Sequence, residues 1–257
     1  MKVMELFDLT GKTALITGGG RGLGAQIAEG LAEAGANVVL CSRKVEACQE
    51  TADRLAALGV NTLALSCDIS KQEDVQKVVE ETVQEFGAID ILVNNSGATW
   101  GAPAEEMPLE AWQKVINVNV TGTFLMSQAA GKVMIEQGSG KIINIASVAG
   151  LGGTDPRVMD TIGYNTSKGA VITMTKDLAV KWGRYGINVN AIAPGFFPTK
   201  MSSAIMEQGR NPILDATPLR RFGSKDDLKG AALFLASNAS NYVTGDVLIV
   251  DGGTHAM

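Results

Sequence analysis

From Thr13 to Val250 the chain alternates short apolar runs with longer amphipathic stretches, and nothing else in it constrains the fold as strongly. Runs at 13–17, 37–41, 62–66, 89–93, 141–145, 188–192 and 247–250 have strand length. Between them lie stretches of helical spacing at 23–34, 45–58, 72–86, 109–133, 164–182 and 226–235. Strands interleaved with helices imply βαβ crossovers, and strands apolar on both faces imply cover on both. The expected fold is therefore α/β: a Rossmann-like, doubly wound parallel sheet with helices on both faces, one domain over 1–257. Gly59 and Gly87 stand where two of the helices should stop. The least regular stretch, 195–225, follows Pro194 and holds further prolines at 198, 212 and 218. It is expected to form a small lid over the cofactor end, with a short helix over 201–208.

Composition narrows the function. A net charge of −5 argues against a nucleic-acid or anionic-membrane partner. No apolar run approaches the roughly 18 residues that cross a bilayer. The first residues lack the apolar core of a secretion signal. Cys41, Cys48 and Cys67 form no CxxC pair, as expected of a reduced, cytoplasmic chain. The one histidine, His255, lies two residues from the end, which argues against a Ser-His-Asp triad or a histidine metal site.

After the first strand comes Thr17-Gly18-Gly19-Gly20-Arg21-Gly22-Leu23-Gly24, and then a helix. Glycines there permit a tight turn and close approach of backbone to a pyrophosphate, while the helix start favours an anion. The spacing differs from GxGxxG, so plain loop chemistry stays open, but the position within a βαβ unit favours a dinucleotide. The second strand ends Leu40-Cys41-Ser42-Arg43-Lys44, without the acid that would hold a ribose 2′-hydroxyl. Ser42 can donate a hydrogen bond, and Arg43 and Arg21 can meet a 2′-phosphate, so NADP(H) is the expected cofactor. Alternatively, Arg43 and Lys44 are a solvated helix start.

Tyr164 and Lys168 fall on one face of a helix. A neighbouring cation lowers a phenol's pKa, and with no histidine in mid-chain a tyrosine suits acid/base work on a carbonyl. Ser147 and the Asn94-Asn95-Ser96-Gly97 run both follow strands, at the edge where α/β sheets bind ligands. Asn119 interrupts a helical stretch.

Together TGGGRGLG (17–24), CDI (67–69), NNSG (94–97), NVTG (119–122), Ser147, YNTSK (164–168), NVNAIAPG (188–195) and VDGG (250–253) closely resemble the single-domain short-chain dehydrogenase/reductases, almost end to end. That resemblance implies that Tyr164 passes the proton, that Lys168 binds the nicotinamide ribose and depresses the tyrosine pKa, and that Ser147 hydrogen-bonds the substrate oxygen. Asn119 would hold a water linking Lys168 to solvent. Gly18, Gly20, Arg21, Gly22 and Leu23 would cradle the phosphates. Asp68 and Ile69 would sit by the adenine, and Asn94, Ser96 and Gly97 along the adenosine. Pro194, Gly195, Phe197 and Thr199 would approach the nicotinamide.

Gly20 replaces the serine of many NADP-dependent members, which suggests one hydrogen bond fewer to the phosphate region. The Ser147–Tyr164 interval is a few residues longer than usual, which implies a reshaped substrate wall. The CSR turn, ATWG (98–101) and APGFFPTKM (193–201) look most like 3-oxoacyl reductases and gluconate 5-dehydrogenase-like members. Phe196, Phe197, Met159, Ile162 and Met206 lean toward an acyl or hydrophobic ketone; a sugar acid is the alternative substrate, and a catalytically silent NADP-binding regulator a remote one. The family implies a homotetramer paired through the helices after Leu109 and Tyr164, acting on a small-molecule carbonyl or alcohol.

Overall fold

The computed structural model describes residues 2–199, 202 and 210–256. Seven strands form one sheet in the order β3-β2-β1-β4-β5-β6-β7, every neighbouring pair parallel. They are β1 (Thr13–Thr17), β2 (Asn37–Ser42), β3 (Thr62–Ser66), β4 (Ile91–Asn94), β5 (Gly140–Ile145), β6 (Ile187–Pro194) and β7 (Val247–Val250). The helices between them are α1 (Gly22–Glu33), α2 (Val45–Ala56), α3 (Gln72–Phe86), α4 (Leu109–Ile116), α5 (Thr123–Gln137), α6 (Ile162–Trp182), α7 (Arg210–Asp215) and α8 (Lys229–Ala236).

Every residue of β1 and β4 is buried, because helices pack on both faces. Alternate strand residues serve opposite layers. Ile16, Val38, Leu40 and Ile91 join α1 and α8 on one face; Leu15, Val39 and Leu92 join α3 and α5 on the other. Each such fully buried side chain stabilises the fold by about 1.5–3 kcal/mol. Gly87 ends α3 in the left-handed conformation that its position after the helix led us to expect.

Several boundaries differ from the sequence reading. β4 begins at Ile91 and extends to Asn94, and β6 runs on to Pro194. The helix expected over 109–133 continues to Gln137, and a π-helical segment, Asn117–Gly122, joins α4 to α5. A Cβ on Gly122 would lie 2.6 Å from Ile69, so the backbone there abuts the loop after β3. The wider turn turns Asn119 inward, a common use of π-segments. A short 3-10 helix at Val3–Phe7 was not expected. The strand order reverses beside β1, where β2 lies on one side and β4 on the other. Open α/β sheets bind ligands outside the carboxyl ends of the strands at such a switch point.

Candidate active site

A cavity of about 1160 Å³ lies along those carboxyl ends, from the loops after β2 and β3 to the turn after β7. At its centre β1 gives way to the glycine-rich turn. Gly18 and Gly22 have φ of +65° and +58°, conformations that glycine adopts without strain. The buried Thr17 hydroxyl accepts from the amides of Asn95 and Ser96, both at 3.0 Å. Asn95 Nδ2 returns bonds to the carbonyls of Thr17 and Gly18. The phosphate turn is thus fastened to the loop after β4, and a Cβ on Gly18 would come within 2.9 Å of Asn95. Gly18, Gly20, Arg21, Gly22 and Leu23 all line the cavity.

Asn94, expected beside the adenosine, is not on that wall. Its Nδ2 donates to Ser127 Oγ at 2.9 Å and Asn144 Oδ1 at 2.8 Å, inside a buried network that Asn144 extends to Thr175. Successive strand residues face opposite ways, so Asn94 points into the α5–α6 layer while Asn95 serves the turn. Asn95, Ser96 and Gly97 line the cavity.

At the β2 end, Ser42, Arg43 and Lys44 line the cavity. The Ser42 hydroxyl already donates to the Lys44 carbonyl at 2.8 Å and accepts from Cys48 Sγ, so its proton holds its own turn instead of reaching outward. Arg43 and Lys44 carry the positive charge there. The Ser70 hydroxyl and amide, helped by Arg43, hold the Asp68 carboxyl below its ordinary pKa. Gly20 is glycine for a packing reason, since a Cβ would fall 2.7 Å from the Ala47 carbonyl carbon in α2. Cys67 also lines this end, which its sequence context did not suggest.

β5 delivers Ser147, which caps a short 3-10 turn by accepting from the Ala149 amide at 3.2 Å. That turn packs on α6, where a Cβ on Gly150 would lie 2.6 Å from the Lys168 carbonyl carbon. Tyr164 is the third residue of α6, and Lys168 follows one turn later with Nζ 5.6 Å from the phenol ring centre. Lys168 is buried and donates to the Ile145 carbonyl at 2.6 Å. Burial pulls its pKa down to about 8. Burial pushes the Tyr164 phenol above its ordinary value, against a smaller opposing pull from the Ser147 hydroxyl. The depression expected from Lys168 is therefore not the dominant effect.

Asn119 does not face the cavity. Its Oδ1 accepts from the Ala98 amide at 2.7 Å, and its Nδ2 donates to the Ala98 carbonyl and to Ser167 Oγ. Its own carbonyl accepts from the Thr123 hydroxyl. Its side chain is thus a bracket between the loop after β4 and α6. Beyond β6, Pro194, Gly195, Phe197 and Thr199 line the cavity, and the Thr199 methyl lies 3.5 Å from a Cβ placed on Gly22. Ser202 aside, the lid helix expected over 201–208, with Met206, lies outside the described residues. Phe196, Phe197 and Met159 line the cavity; Ile162 does not.

Comparison with known proteins agrees with this geometry. Residues 18–255 match the family model described as Enoyl-(Acyl carrier protein) reductase. A solved short-chain type dehydrogenase/reductase from Mycobacterium marinum superposes with a TM-score of 0.95 at 38% identity, covering 98% of this chain and 99% of that one. The chain belongs to the short-chain dehydrogenase/reductase family. Within that family, the curated 2-dehydro-3-deoxy-D-gluconate 5-dehydrogenase of Pseudoalteromonas atlantica is 42% identical over 255 residues, 98% of each chain. A gluconate 5-dehydrogenase from Burkholderia cenocepacia, solved in complex with NADP and tartrate, has a TM-score of 0.94 at 39% identity over 100% of both chains.

For a short-chain dehydrogenase/reductase, the cavity has a clear polarity. Arg21, Arg43 and Lys44 lie on or beside the loops after β1 and β2; Ser147, Val158, Met159 and Tyr164 come from β5 onward to the start of α6; Ile213 and His255 follow β6 and β7 at the other edge of the strand order. Among the described residues there is no cluster of metal ligands and no helix long and apolar enough to cross a membrane.

Proposed function

We propose that the protein is an NADP(H)-dependent oxidoreductase that interconverts a ketone and a secondary alcohol on a small hydroxy acid of the gluconate type. The observation that carries this reading is one cavity joining a basic end to Ser147, Tyr164 and Lys168. A dinucleotide fits there. The glycine turn offers close backbone approach, and Arg21, Arg43 and Lys44 offer charge for a 2′-phosphate. NADPH, when bound, supplies the hydride.

Ser147 orients the substrate carbonyl by hydrogen bonding its oxygen. Tyr164, held neutral by burial, is in the right form to give a proton to the developing alkoxide. The Lys168 ammonium, one turn away, stabilises the phenolate left behind. The segment over 195–225 acts as the lid, with Ile213 and Ala216 reaching the cavity from it. The full-length likeness to gluconate-type dehydrogenases favours the sugar acid as substrate. Val158, Met159 and Ile213 favour a second reading, a 3-oxoacyl thioester.

The family resemblance also supports a cytoplasmic homotetramer built from one such domain. Trp100, Leu109, Phe124, Ile162 and Val180 expose apolar surface on or beside α4–α6, and Tyr242 and Ile249 do so elsewhere. Light scattering should give a mass near four times 26.9 kDa. Oxidation of NADPH is then followed with a gluconate-type oxo acid and with a 3-oxoacyl thioester. Turnover of the acid supports the first reading, turnover of the thioester alone supports the second, and turnover of neither refutes both.

A further inference from the structure

We infer that His255 is a specificity residue that binds the carboxylate of the substrate, at the end of the cavity away from the cofactor's 2′-phosphate. The inference rests on the hydroxy-acid reading above and deepens it. His255 lines the cavity although it lies near the end of the chain, where side chains are commonly loose.

Here the chain is tied down. After β7, Gly252 and Gly253 turn it with φ of +69° and +93°. Both carboxylate oxygens of Asp251 are spent on that turn. Oδ1 accepts from the Gly253 amide at 2.8 Å, and Oδ2 accepts from the His255 amide at 2.7 Å. Thr254 Oγ1 donates to the Asp251 carbonyl at 3.0 Å and lies 3.4 Å from Thr217 Oγ1. A Cβ on Gly195 would lie 2.8 Å from the Asp251 Cα, so the turn is pressed against the end of β6. An exposed imidazole is thus presented by a backbone that packing and hydrogen bonds hold in place.

The distribution of charge makes the assignment specific. Among the described residues lining the cavity, the other basic groups are Arg21, Arg43, Lys44 and Lys168. The first three lie by β1 and β2, and Lys168 is buried against the Ile145 carbonyl. At the β6–β7 end His255 is the described basic side chain that lines the cavity, since Arg221, beside Gly252 in a smaller pocket, is paired with Asp227, and an imidazole donates one N–H when neutral and two when charged. The lining acids do not cancel it. Asp68 belongs to the β3 end, and Asp155 is held by Arg157 Nε at 3.0 Å and by the Arg157 amide at 2.9 Å. A substrate whose carbonyl meets Ser147 and Tyr164 can extend its carboxylate toward this corner.

The test compares wild type, His255→Ala and His255→Gln, with NADPH and two substrates: a gluconate-type oxo acid and a neutral ketose of the same chain length. Losing a hydrogen bond to a charged group should raise KM for the acid by about 10-fold, with kcat within about twofold. KM for the ketose should not change, and Gln, which keeps an N–H donor, should restore part of the loss. An unchanged KM for the acid, or an equal rise for both substrates, overturns the role of His255 and leaves the hydroxy-acid reading standing. Wild type that reduces the ketose but not the acid overturns both.

Discussion

Replacing Gly20 by alanine tests how the phosphate turn and α2 are fitted together. The new Cβ would fall 2.7 Å from the Ala47 carbonyl carbon, 2.8 Å from the Cys48 amide nitrogen and 2.9 Å from the Ala47 oxygen. All three are backbone atoms of α2, so no side-chain rotation relieves the contact. Overpacking of this kind costs about 1–3 kcal/mol. The buried Thr51 hydroxyl also donates to the Gly20 carbonyl at 3.1 Å, and displacing α2 puts that bond, about 1 kcal/mol, at risk. The expected destabilisation is about 2–4 kcal/mol, a fall in Tm of about 5–15 °C for a chain of this size. The same shift moves Arg43 and Lys44, which precede α2, so KM for NADPH should rise more than KM for NADH. Gly183→Ala is the control, because nothing lies within 4 Å of its Cβ position and its φ is −53°. Thermal melts and cofactor titrations on both variants decide the matter. A Gly20→Ala protein that melts with wild type and keeps its preference for NADPH would refute the packing argument.

Tyr164→Phe should leave the melting temperature and NADPH binding near wild type but lower kcat by roughly 10²–10⁴-fold; near-normal turnover would remove Tyr164 from the chemistry. Arg43→Asp should weaken NADPH and spare NADH, since it replaces an attraction for the 2′-phosphate with a repulsion; cofactor titrations that show no change in the ratio would count against the basic end. Burial pulls Lys141 down to about 8 from 10.5, so its charged form is disfavoured in the fold. That penalty is complete below pH 8 and fades as pH rises toward 10.5, so this group makes the protein more stable across that window. Lys168, also pulled to about 8, contributes in the same sense. Urea midpoints measured from pH 7.5 to 10 should rise less steeply in Lys141→Met than in wild type, and parallel curves would contradict the assignment.

The strands, the order of helices and the glycine turn could be read from apolar patterning, because burial on both faces leaves a strong signal in sequence. What could not be read was direction. Asn94 and Asn95 are identical neighbours, and only the register of β4 against β5 decides which one serves the turn and which enters the buried network. Ser42 and Asn119 were recognised as chemically able, yet their hydrogen bonds are consumed by Lys44, Ala98 and Ser167. Local sequence does not reveal such partners, because they arrive from elsewhere in the fold. Nothing in the sequence around His255 points to the cavity, and only the turn built by Asp251 brings it there.

The strand order has a consequence for how such an enzyme changes over time. Between β2, which ends at the basic corner, and β7, which leads to His255, lie five inter-strand spacings. At about 4.8 Å each, they separate the two corners by about 24 Å. The residues proposed to choose the nucleotide all precede residue 70, and those proposed to choose the substrate largely follow residue 147. On that proposal, a single recombination event between those regions would hand the chain a new substrate while its coenzyme preference is inherited intact. Genes of this architecture can therefore diversify their chemistry one corner at a time.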